Sequence, residues 1–284
     1  GPCKGEIILY FKVGWKIPTW VTYETRSKDQ GLTWSPARIL VPGDKRGGRG
    51  PVKNKPILLS NGKWAAPASL ESAPTRQNRK RVWQAFVDTS SDGGTTWEMG
   101  PVLSVPEGYG VIQPSLWESA PGHIHMLLRG RDWTEKDKSN RVWRSDSHNG
   151  GKTWSKVYKT KLRGNNSGLD VARMPLSGTL VLALNPTSNG GQRWPLQLAI
   201  SDNNGETWQV GLEIEVEHGN LLQGHEYSYP ACVPWPLPSG STDPSDEGFS
   251  LSYTWHRQRV VYLSMSLREL RERAKPNAHV VDTH

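Results

Sequence analysis

Ser90-Ser91-Asp92-Gly93-Gly94-Thr95-Thr96-Trp97 is one of four versions of a single eight-residue box. The others are Ser27-Lys28-Asp29-Gln30-Gly31-Leu32-Thr33-Trp34, Ser147-His148-Asn149-Gly150-Gly151-Lys152-Thr153-Trp154 and Ser201-Asp202-Asn203-Asn204-Gly205-Glu206-Thr207-Trp208. Repeats about 50 to 60 residues apart, with strand-like sequence between them, indicate a radial array of small sheets, a β-propeller. In each box an Asp or Asn can form an Asx-type turn, Gly supplies a positive φ, and Thr re-enters a strand. The Trp is expected to tuck between sheets, where burying about 200 Å² of ring contributes at most about 5 kcal/mol gross. The boxes are therefore structural. Their short loops carry too few carboxylates for a calcium cage.

Strand signals outward from the boxes divide the chain into blades. Residues 53–103, 111–158 and 168–214 each hold four strand-like runs, with the box joining the third to the fourth. Before the first box only 7–13 and 20–27 read as strands, so that blade lacks its innermost strand. After the last box, 227–233, 249–255 and 259–266 form a blade without an outermost strand. About five blades are expected within a propeller spanning 1–267, followed by a polar, basic tail over 268–284. A segment on the amino-terminal side is expected to complete the first blade.

The 284 residues contain no long apolar run and read as one domain not built to cross a membrane. A formal charge of +8 suits an acidic partner, although a solvated basic surface accounts for most of it. Cys3 and Cys232 are too few for a disulfide framework or a cysteine metal site. His123 and His125 alternate on one strand, but without a third ligand they read as surface or packing residues, so no metal is assigned. The basic run 76–81 reads as a solvated loop, with no nucleic-acid partner expected. Asn165-Asn166-Ser167 is a lone glycosylation sequon.

The boxes resemble the Asp-box repeats of the sialidase-like superfamily. The text between them resembles its BNR-repeat branch: Val52-Lys-Asn-Lys-Pro56, Ile112-Gln-Pro-Ser115, Leu127-Leu-Arg129, Asn165-Asn-Ser-Gly-Leu-Asp170, Arg193-Trp-Pro-Leu196, Glu226-Tyr-Ser-Tyr-Pro230 and Tyr253-Thr-Trp255. The resemblance covers 6–266 and implies an all-β, sialidase-like six-bladed propeller, about five blades of which lie in this chain. It further implies an exo-α-sialidase-like glycoside hydrolase that removes a terminal acidic sugar from glycans, without a cofactor, as a monomer.

In a propeller, inner-strand starts and the loops between second and third strands share one face. That places Lys53, Asn54, Lys55, Gln113, Asp170, Tyr227 and Tyr229 together with Glu71, Arg129, Asn185, Arg193 and Arg257 around a concavity. Arg129, Arg193 and Arg257 are candidates for gripping a sugar carboxylate through their forked donors. Sialidases use a Tyr nucleophile activated by a carboxylate. Tyr227 is the first candidate and Tyr229 the second, with Glu71 or Asp170 as activator, since Glu226 and Tyr227 are adjacent and point to opposite faces. One departure is that only Lys16-Ile17-Pro18 resembles the family's arginine motif before the first box, and in a different context. The alternatives are a polysaccharide lyase acting on uronates, using Lys53, Lys55, Asn54 and Gln113 with Tyr229 or His256, and a noncatalytic glycan-binding propeller.

Overall fold

A computed structural model of the chain describes residues 5–44, 48–51, 53–72, 82–133, 140–187, 191–215 and 226–274. The basic run 76–81 and the tail beyond 274 lie outside them.

Five antiparallel sheets follow one another along the chain. The first has three strands, β1 (Ile7–Val13), β2 (Val21–Ser27) and β3 (Arg38–Ile39). The second has four: β4 (Ile57–Leu58), β5 (Trp64–Ser72), β6 (Val82–Ser90) and β7 (Glu98–Met99). The third comprises β8 (Tyr109–Ala120), β9 (His123–Asp132), β10 (Arg141–Ser147) and β11 (Tyr158–Arg163). The fourth comprises β12 (Asp170–Arg173), β13 (Leu180–Leu184), β14 (Leu196–Ser201) and β15 (Gln209–Glu215). The fifth has three strands, β16 (Tyr227–Pro234), β17 (Gly248–Trp255) and β18 (Arg259–Ser266), and runs into a short helix, α1 (Leu267–Arg273). Three complete blades and two three-stranded ones are what the strand signals predict. Each box joins the last two strands of its sheet.

Three boxes close by one hydrogen-bond scheme, and the third box in the chain shares it except at Trp154, whose indole nitrogen is buried without a partner. In the second, Gly94 N donates to Ser90 Oγ at 2.9 Å, Thr96 N to Asp92 Oδ1 at 2.9 Å, and the Trp97 indole to Gly94 O at 3.1 Å. The fourth repeats it with Gly205 to Ser201, Thr207 to Asn203 and Trp208 to Gly205. Trp97 is buried, edge-on to Tyr10 of the first sheet and packed with Leu40 and Ala66, and Trp208 is 3% exposed. Trp154 is half-buried.

Trp34 departs from the expectation of burial, being 41% exposed. Its indole still donates to Gly31 O at 3.0 Å. The second box rests on the sheet before it, through Trp97 against Tyr10 and through Arg26 Nη2 donating to Gly93 O at 3.1 Å. Trp34 belongs to the first described sheet, and no earlier sheet is described to cover it.

The chain divides into two compact units, Gly1–His125 with Ser145–Val157, and Met126–Arg144 with Tyr158–His284. The second has an apolar core running from Ala172, Val181 and Leu198 through Phe249 and Leu251 to Leu270 of α1. Ser266 caps that helix by accepting from Glu269 N, and α1 packs Leu270 against Gly211 of β15. This core fixes the strands on which the candidate site is mounted.

Candidate functional site

The second unit gathers a cationic cluster around one phenol. Tyr229 lies in β16 at a bulge, where the register with β17 shifts between Ser228 and Ala231. In a regular strand Tyr227 and Tyr229 would face the same way. The bulge separates them: Tyr227 is 6% exposed within the core, its ring edge-on to His256, whereas Tyr229 is 38% exposed. Tyr229 has φ +52 and precedes Pro230, a position that favours extended backbone, so local strain holds the ring out.

Arg193 lies over the Tyr229 ring, its guanidinium carbon 4.9 Å from the centroid. Burial works against ionisation of the phenol, but the charges and hydrogen bonds of Arg193 and Arg129 outweigh it and bring Tyr229 below its ordinary pKa. Arg129, on β9, is oriented by donating Nε to Asn166 Oδ1 at 2.8 Å. Behind them Glu226 acts as a shared anchor. It accepts from Arg193 Nη1 at 2.7 Å, Arg257 Nε at 2.7 Å and Ser228 Oγ at 2.6 Å. Burial would raise the Glu226 carboxyl, yet the Ser228 hydroxyl and the two guanidinium groups hold it below its usual value. Three arginines and one carboxylate leave the cluster net positive, which suits an anionic ligand.

Backbone strain gathers around this cluster. Among the described residues of the second unit six non-glycine residues have positive φ, and four of them are Asn166, Tyr229, His256 and Arg257. Ser167 Oγ and Asn185 Oδ1 of the same unit are buried without a hydrogen-bond partner, a cost that a bound polar ligand or water would offset.

The remaining predicted residues fall into place as follows. Asn185 donates Nδ2 to Pro195 O at 2.9 Å and Tyr227 O at 3.0 Å, tying β13 to β16. Asp170 is 1% exposed and accepts from Val171 N and from Cys232 N at 2.8 Å, so its oxygens hold β12 against β16. Arg257 is the exposed partner of Glu226, its side chain 70% accessible. In the first unit Asn54 donates to Gln113 O and to Pro114 O at 2.8 Å, while Lys53, Lys55 and Glu71 are half-buried. The sequence reading missed Asn166 as a positioning group. A signal existed for Asn166, since Asn tolerates the left-handed backbone seen there at φ +63.

The family described as BNR repeat-like domain matches residues 2–238. The chain belongs to this family. A comparison with curated protein sequences gives no match. Among solved structures, this BNR-repeat chain is similar to the Hadza microbial sialidase Hz136, with a TM-score of 0.64 and 16% identity over 88% of this chain and 44% of that one. It is similar to the NanB sialidase of Streptococcus pneumoniae, with a TM-score of 0.58 and 15% identity over 89% and 36%. It is also similar to the α-L-arabinanase of Penicillium chrysogenum complexed with arabinobiose, with a TM-score of 0.59 and 17% identity over 94% and 73%. At such identities the likeness is one of fold. The chain is an all-β, sialidase-like propeller with five blades, and it spans less than half the length of these two sialidases. No helix among the described residues is long and apolar enough to cross a membrane.

Proposed function

We propose that this BNR-repeat protein is a carbohydrate-active enzyme that acts on an acidic sugar, with Tyr229 as the reacting group and Arg129 and Arg193 as the grip on the sugar carboxylate. The observation that carries this reading is the Tyr229 phenol, brought below its ordinary pKa by two guanidinium groups that can also bind an anion. Arg257 adds charge through Glu226, and Asn185 is the further contact that the sequence supplies from the same unit. All these groups belong to one chain, so the reading needs no second copy.

The first form of the proposal is hydrolysis of the exo-α-sialidase type. The Tyr229 oxygen attacks the anomeric carbon, the bond to the aglycone breaks, and the aglycone oxygen takes up a proton. Water then displaces the tyrosine and releases the free sugar. Tyr229 takes the role first considered for Tyr227, because the Tyr227 side chain is packed in the core.

A second form, uronate elimination, is favoured by one specific observation. The phenol is activated by cations, while Glu226 is committed to Arg193, Arg257 and Ser228. Elimination needs this arrangement: arginines neutralise the carboxylate, the phenolate takes the proton α to it, a carbon–carbon double bond forms, and the glycosidic oxygen leaves with a proton. Incubation with sialylated and uronate-containing glycans separates the outcomes. Release of free sialic acid supports hydrolysis, and ultraviolet absorbance of an unsaturated uronate supports elimination. Binding of an acidic sugar without turnover refutes both enzymatic forms.

A further inference from the structure

The strand register places one recurring side-chain pair beside the boxes. Pairing of Ile7 with Ser27, Trp64 with Ser90 and Leu180 with Ser201 brings Glu6 opposite Lys28, Lys63 opposite Ser91 and Thr179 opposite Asp202. In each case the second partner is the second residue of the box. Two of these pairs are polar latches: Lys28 Nζ lies 3.6 Å from Glu6 Oε1, and Thr179 Oγ1 donates to Asp202 Oδ1 at 2.7 Å. In the third sheet the same latch consists of two imidazoles. Nδ1 of His148, the second residue of its box, lies 3.3 Å from Nδ1 of His123 at the start of β9.

We propose that His123 and His148 form a site for a divalent transition-metal ion, with zinc as the reference ligand. A tetrahedral zinc ion holds imidazole nitrogens about 2.0–2.1 Å away, which puts two of them about 3.3 Å from each other. The spacing therefore admits a shared ion with little movement of either ring. Both rings are exposed, so an ion can reach them.

Their supports are fixed. Gly150 N donates to Gly122 O at 2.9 Å, linking the two turns that carry the histidines. Gly122 N donates to Glu118 Oε1 at 2.9 Å, and the box is closed by Gly151 N to Ser147 Oγ and Thr153 N to Asn149 Oδ1, each at 2.9 Å. Preorganised ligands lose little freedom on binding. His125, two residues from His123, is committed elsewhere: Nδ1 meets Asp146 Oδ1 at 2.6 Å, Nε2 meets Ser119 Oγ at 2.8 Å, and the ring stacks on Trp117. No cluster of three or more metal-ligating side chains occurs among the described residues, so water completes the coordination sphere.

The test is calorimetric titration of the tag-free protein with zinc chloride at neutral pH, alongside His148→Lys and His123→Ala. Lysine stands at this position in the first box, so His148→Lys keeps a residue that an intact box accommodates. One equivalent of zinc is expected to bind the native protein, and either variant is expected to bind at least tenfold more weakly. Zinc should also raise the melting temperature of the native protein and not of the variants. Copper in place of zinc should give an electron paramagnetic resonance spectrum with two nitrogen ligands. Identical zinc isotherms for the native protein and both variants would overturn the proposal, as would a copper spectrum unchanged in His148→Lys.

Discussion

Replacing Arg193 by Gln removes a unit charge from beside Tyr229 while leaving a hydrogen-bond donor of related length. The guanidinium carbon lies 4.9 Å from the ring centroid. At that separation and an effective dielectric constant of about 20, a cation and a phenolate attract by about 3 kcal/mol. Tyr229 is 38% exposed, and solvent screening reduces the attraction to about 1–2 kcal/mol. Arg129 remains, so the variant phenol should still titrate below its ordinary value, but above the native one. Ultraviolet difference titration reads this directly, with Tyr229→Phe identifying the contribution of Tyr229 to the phenolate signal. Linkage gives the sign of a second readout. A phenol whose pKa is depressed by folding adds stability above its ordinary pKa, and this is lost as pH falls through the folded value. The stability gap between native protein and Arg193→Gln should therefore widen on going from neutral pH to about pH 10. An unchanged Tyr229 midpoint in Arg193→Gln would refute the electrostatic reasoning and the assignment of Tyr229 as the activated group.

The two tyrosines of β16 give a sharper functional contrast. Tyr229→Phe should abolish turnover while retaining binding of an acidic sugar, and Tyr227→Phe should retain turnover; steady-state kinetics with binding isotherms would refute the assignment if the pattern were reversed. Trp97→Ala should cost about 3–5 kcal/mol in denaturant unfolding and Trp34→Ala roughly half of that or less, because only Trp97 is buried against a preceding sheet. Equal losses would remove the boxes' proposed seating from the account. Lys12 reaches Thr22 and the Arg49 carbonyl near Asp88, and desolvation, partly offset by Asp88, lowers it to about 8. Its unfolded form binds the extra proton between that value and the ordinary lysine value of 10.5, so stability should rise with pH across this window and the rise should disappear in Lys12→Met. A native stability profile flat between those pH values would contradict the buried amine.

The architecture was legible because each box carries its own closing scheme. Ser, Asp or Asn, Gly and Thr recur in the bonds that close every box, so four copies announce four turns of one kind before any packing is known. The strand count followed, including the shortened first and last sheets. The clustering of Arg129, Arg193 and Tyr229 was legible from their places at strand ends. The separation of Tyr227 from Tyr229 was not, because alternation along a strand cannot reveal a bulge. The bulge depends on the register of β16 against β17, a long-range property that no local pattern encodes. The engagement of Asp170 was hidden for a related reason: a carboxylate at a strand start gives no local sign of the neighbouring strand's amide, here Cys232 N, that donates to it. Trp34 was assigned to the interior by its motif, although burial depends on what lies next to a turn and not on the turn itself.

The second residue of each box stands outside the bonds that close it, and that has a consequence for how such a chain can change. Lys28, Ser91, His148 and Asp202 occupy the same place in four near-copies, and the turn closes identically around a cation, a hydroxyl, an imidazole and an anion. A position that the turn's own closure does not use can change without opening the turn, and because it always faces the same place on the adjoining strand, each change samples a new pairwise chemistry at fixed geometry. Duplicated turns of this kind supply four parallel trials of one two-residue contact, so new surface chemistry can arise in one blade while the other three keep theirs.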